Sequence, residues 1–110
     1  MSLLGAISIS ENGVKEGFFT QILSDYTWAT LVVNLNSFIT TINGRVKFRD
    51  EIFKDFVKQK YVTTKEAEEY YRKELINYYS KDKQSNIDDL LFQYEKLLEM
   101  YKRTCHIIHN

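Results

Sequence analysis

Residues 26–44 read Y-T-W-A-T-L-V-V-N-L-N-S-F-I-T-T-I-N-G and contain no charged side chain. Trp28, Leu31, Val32, Leu35, Phe38, Ile39 and Ile42 recur at the i, i+3, i+4, i+7 spacing of one helix face. Thr30, Asn34, Ser37 and Thr41 fall on the opposite face, polar but uncharged. A helix with one apolar side and no charge on the other is usually enclosed by neighbours. The spacing therefore predicts a central helix over residues 26–43, stopped by Gly44 in a left-handed C′ position. A rival reading exists in the same residues. F-I-T-T-I-N-G-R-V-K-F, residues 38–48, sets Asn43-Gly44 between β-formers, which is a hairpin signature. The helix is preferred because its period runs back to Trp28, farther than a hairpin strand reaches.

On the N-terminal side, Ile7 and Ile9 alternate with Ser8 and Ser10, which predicts a short extended arm ending in a Glu11-Asn12-Gly13 turn. A first helix is expected over residues 14–24, with Phe18, Phe19, Ile22, Leu23 and Tyr26 on one side and Ser24 or Asp25 capping the next helix. On the C-terminal side, Ile52, Phe53, Phe56, Val57 and Tyr61 predict a helix over residues 49–61. The next helix opens at Thr63 or Thr64, where Thr63 and Glu66 have capping-box spacing, and runs through Ala67, Tyr71, Leu75 and Tyr78 to residue 80. Ser85 or Asn86 caps the last helix, with Asp88 and Asp89 favourable at its positive end. Ile87, Leu90, Leu91, Tyr94, Leu97, Leu98, Tyr101, Cys105 and Ile108 form its expected core stripe. The fold class expected is all-α: a single domain over residues 1–110, with an extended arm over 1–13 and a bundle of about five helices over 14–110.

Composition narrows the class. A chain of 110 residues is one domain in size and buries roughly two-thirds of its unfolded surface. Apolar and charged fractions of 44% and 27% suit a globular protein, and the absence of Pro suits uninterrupted helices. A formal net charge of zero argues against a general polyanion binder. The single cysteine, Cys105, excludes an internal disulfide and suits a reducing compartment, so a cytoplasmic location is expected. The first ten residues lack a basic segment ahead of an apolar run, so no secretory leader is expected. Eight Ser, Thr or Asn residues within 26–44 argue against a membrane span. Frequent Lys, Ile, Asn and Tyr resemble the usage of AT-rich genomes and their phages.

Few residues suggest chemistry. Cys105 and His109 stand one helical turn apart beside His106, but a structural zinc needs four ligands and no second Cys/His cluster exists. A cysteine nucleophile needs an orienting third group, which is also lacking. Glu74 lies between Tyr70 and Tyr78, and one carboxylate alone is no acid–base pair. The sequence thus predicts no catalytic residue, metal, cofactor or small-molecule substrate.

Two binding surfaces remain. Phe92, Met100 and Ile107 lie off the core stripe of the last helix with Lys96 and Arg103 between them, an outer apolar line that calls for a cover. Tyr70 and Tyr79 flank the inward Tyr71 and Tyr78 and extend that interface, since Tyr is enriched where proteins meet. The expected partner is another protein or a second copy of the chain. The alternative is a nucleic acid, held by Arg45, Lys47, Lys54 and Lys58 in a segment with six basic against three acidic residues over 45–60. The function expected is that of a non-enzymatic interaction protein, an adaptor, inhibitor or assembly subunit, with a helical nucleic-acid-binding subunit as the alternative.

Overall fold

A computed structural model describes the backbone of residues 2–109 and the side chains of residues 2–103. Two compact units make up the chain, Met1–Thr63 and Thr64–Asn110.

The first unit runs α1 (Leu3–Ser8), β1 (Val14–Lys15), α2 (Glu16–Thr20), α3 (Asp25–Asn34), β2 (Ile39–Ile42), β3 (Arg45–Phe48) and α4 (Glu51–Tyr61). Its three strands form an antiparallel sheet in the order β1-β3-β2. The all-α expectation is thereby corrected: among the described residues the protein is mixed, mostly helical with one small sheet.

The correction falls on the stretch that looked like a central helix. Ser24 caps α3 by accepting from the Thr27 amide at 3.1 Å, and the helix then gives out at Asn34. Asn34, Asn36 and Ser37 are poor helix formers, and Ile39-Thr40-Thr41-Ile42 is a β-branched run. Asn43 and Gly44 both take positive φ, 53° and 76°, as a two-residue primed hairpin turn requires. Gly44 is left-handed as expected, but it reverses a hairpin rather than ending a helix. The register pairs Ile39 with Phe48 and Thr41 with Val46. The Arg49 guanidinium closes the open end of the hairpin, donating from Nε to the Asn36 carbonyl at 2.7 Å. Trp28 and Ile39 are buried as expected, whereas Phe38 and Ile42 are exposed.

The extended arm is corrected as well. Ser2 caps α1, accepting from the Leu4 amide. The Ser8 and Ser10 hydroxyls donate back to the Gly5 and Ile7 carbonyls at 2.7 and 2.8 Å. Their alternation with isoleucine therefore marks buried, self-satisfying turns and not a strand. Ala6, Ile7 and Ile9 are core residues, and α1 packs on α4 and β3. The expected helix over 14–24 is instead β1 followed by α2, with Phe19 stacked on Trp28 at 4.6 Å.

The second unit is an antiparallel helical hairpin. Thr64 caps α5 (Lys65–Tyr79) by accepting from the Ala67 amide at 3.0 Å. A 3-10 turn (Ser80–Asp82) leads into α6 (Ile87–His109). Tyr71, Leu75 and Tyr79 of α5 and Leu90, Leu97 and Met100 of α6 are buried. No helix among the described residues is long and apolar enough to cross a membrane.

Two glycines separate two kinds of constraint. Gly13 has φ +79°, and an added Cβ would lie 2.7 Å from the Val46 carbonyl oxygen and 2.5 Å from Lys47 Cγ. Gly44 has φ +76°, but a Cβ there meets nothing. Gly44→Ala should cost about 1 kcal/mol, from backbone strain alone. Gly13→Ala should cost about 3 kcal/mol or more, because the carbonyl belongs to the central strand and yields only if β1 parts from β3. Denaturant unfolding of both variants measures the difference, and equal losses would contradict the close approach.

Candidate functional site

The α5–α6 hairpin turns on a buried polar bridge. Arg72 donates from Nη1 to Gln93 Oε1 at 2.8 Å and pairs through Nη2 with Glu68 at 2.8 Å. Arg72 and Gln93 are both almost fully buried. An arginine buried with both a carboxylate and an amide satisfies its desolvated charge. This bridge sets which way α6 faces. Leu90, Gln93, Leu97 and Met100 line its buried side, and the expected core stripe is rotated outward by roughly a quarter turn.

The rotation reassigns the interface residues named from sequence. Met100 is only 2% exposed and presents no surface to a partner. Phe92 is half-buried, with the Lys96 ammonium 5.6 Å from its ring centre. Lys96 also reaches Glu99 at 3.6 Å, and Arg103 is exposed. The side chain of Ile107 lies outside the described residues, as do those of Cys105, His106 and His109. On α5, Tyr70 is exposed, whereas Tyr79, expected at the rim, is fully buried.

The exposed apolar surface of α6 lies instead on the stripe expected to form its core. Ile87, Leu91, Tyr94, Leu98 and Tyr101 run down one side of α6 with exposures between 38% and 58%. Beside its Tyr101 end, α5 contributes an ion pair, Lys73 to Glu69 at 2.8 Å. The hydrogen bond from Lys73 holds the Glu69 carboxyl below its usual range. The same bond raises Lys73 above its own, and Tyr101 adds to the effect.

The first unit presents smaller features. Phe53 stacks on Phe38 at 4.6 Å and meets Phe48 edge-on at 5.3 Å, and Phe56 and Ile52 beside it are exposed. Of the four basic residues named for nucleic acid, Lys47 and Lys54 line one cavity of about 160 Å³, shared with Glu11, Asp50 and Glu51. Arg45 instead points its guanidinium at the Gly13 carbonyl, 3.5 Å away, and Lys58 is exposed on α4. That mixture of charges gives a phosphate backbone no continuous positive track. Leu3, Ile7, Phe19, Trp28, Leu31 and Leu35 line a second cavity of about 220 Å³. Its walls are almost wholly apolar, so it has little to orient a ligand. No group of three metal-ligating side chains occurs among the described residues.

The α6 seam stands apart in extent, and the face reversal is testable. Leu98→Lys should change stability by no more than about 0.5 kcal/mol, as befits a surface site. Met100→Lys buries a charge in the hairpin and should cost about 3–5 kcal/mol. Thermal melts of the two variants decide which side is core, and the reverse ranking would refute the orientation of α6.

Compared with family models, with curated proteins and with solved structures, the chain matches none.

Proposed function

We propose that this protein is a non-enzymatic interaction module that binds another protein chain through the exposed seam of α6. One observation carries the reading. Five large apolar side chains, Ile87, Leu91, Tyr94, Leu98 and Tyr101, form an unbroken exposed line along a single helix. Scattered exposed apolar residues need no explanation, but a contiguous row of this size marks an interaction surface. Two of the five are tyrosines, which suit an interface by joining apolar area to a polar tip. Helix-in-groove and helix-on-helix recognition both read anchors at this spacing. The aromatic patch around Phe53 and Phe56 supplies a second, smaller contact area. A cytoplasmic location accords with a lone cysteine.

A photo-cross-linking amino acid placed at position 94 or 99 in living cells tests the proposal. Tyr94 lies in the seam, and Glu99 lies on the polar back of α6, paired with Lys96. Position 94 should yield defined protein adducts and position 99 should yield none. Absence of adducts at 94, or equal yields at the two sites, would refute the seam as a binding surface.

A further inference from the structure

The seam residues are separated by four, three, four and three positions, from Ile87 through Leu91, Tyr94 and Leu98 to Tyr101. That alternation is the a/d pattern of a coiled coil. One flank of the seam carries Asp88, Glu95 and Lys102, each directly following a d position, and Glu95 and Lys102 are exposed. The other flank carries Leu90 and Leu97, which are buried on the same side of α6 as Gln93, the residue bridged to α5.

Resting on the proposed function above, we infer that the occupant of the seam is a second copy of this chain, its α6 running antiparallel to the first. The charges select the direction. In an antiparallel pair, like flanks face each other, so the Asp88–Glu95–Lys102 flank meets its own copy. With Leu98 set against the second copy's Tyr94 and Leu91 against its Tyr101, Asp88 faces the second copy's Lys102, and the two-fold axis repeats the ion pair. Glu95 then meets its own copy beside the axis, one like-charge contact against two ion pairs. A shift of one heptad pairs Glu95 with Lys102 but sets Leu91 and Tyr94 against residues beyond the seam. In a parallel pair the charged flank instead meets the leucine flank, which leaves Glu95 and Lys102 beside apolar groups with no opposite charge. The leucine flank is already taken up within the hairpin, so only the antiparallel arrangement leaves both flanks satisfied.

The area sets the strength. The exposed parts of the five seam residues amount to on the order of 500 Å² per copy, so a symmetric pair removes about 1,000 Å², the lower limit for a specific interface. A dimer of micromolar affinity follows, one that exchanges subunits.

Sedimentation equilibrium of the full chain between about 5 and 200 µM tests the inference, with a dissociation constant expected in the micromolar range. Leu98→Lys should yield a monomer whose circular dichroism still shows full helix, and Leu91→Lys serves as an independent second variant. Asp88→Lys and Lys102→Asp should each weaken the dimer about tenfold, because each creates two like-charge contacts. The double variant Asp88→Lys/Lys102→Asp should recover wild-type affinity within about twofold. A wild-type chain that is monomeric at about 200 µM would overturn the second copy as occupant, while adducts with a different protein at position 94 would leave the broader reading standing. A dimer that survives Leu98→Lys, or single reversals without effect, would overturn the seam or its direction, and so would a double variant that fails to rescue.

Discussion

The left-handed turn at Asn43 and Gly44 is the constraint on which the first unit depends. Two consecutive residues with positive φ cannot extend a right-handed helix. They fold β3 back on β2, which places Val46 opposite both Thr41 and Val14. β3 becomes the central strand, and α1 and α4 both pack against it. Without the reversal Val46 would lose its pairing with β2 and keep only that with Val14. Ala6, Ile7, Ile9 and Val57 are buried on the elements that pack against that strand and each other.

The second unit depends on a different kind of interaction. Its hairpin is oriented by an arginine, a glutamate and a glutamine, and the apolar residues are sorted around them. Hydrophobic burial is non-directional and accepts any of several rotations of α6. The Arg72–Gln93 hydrogen bond accepts one. Buried polar groups thus specify the face, and the leucines and tyrosines supply bulk on either side of it.

This difference explains what could be read from the sequence. The ends of α4, α5 and α6 were legible within a few residues, because Thr64 and the apolar period of each helix announce them locally. The hairpin was legible too, in its Asn-Gly turn, but a seven-residue apolar stripe from Trp28 to Ile42 competed with it. The stripe was genuine over α3 and accidental beyond Leu35, where β-branched residues satisfy both periods. The faces of α6 were not legible. Its apolar arc is wide enough to contain both the buried side and the seam, and a count of hydrophobic positions places its middle in the core. Gln93 reads as a surface residue until Arg72 is known to reach it. The one local signal was Glu68 four residues before Arg72, which indicates an ion pair but not its burial.

The two units also differ in how far apart in sequence their partners lie. In the helical hairpin every contact joins residues on either side of one short turn, and the loop to be closed is small. In the first unit β1 must find β3 across the whole of α2, α3 and β2, since Val14 pairs with Val46. Closing a long loop before any contact rewards it slows the search for native pairing. The helical hairpin and the β2–β3 turn are therefore expected to form before β1 docks on β3. During that interval the edges of β2 and β3 are open to mispairing, and the shortness of all three strands, four residues at most, limits what can add to them.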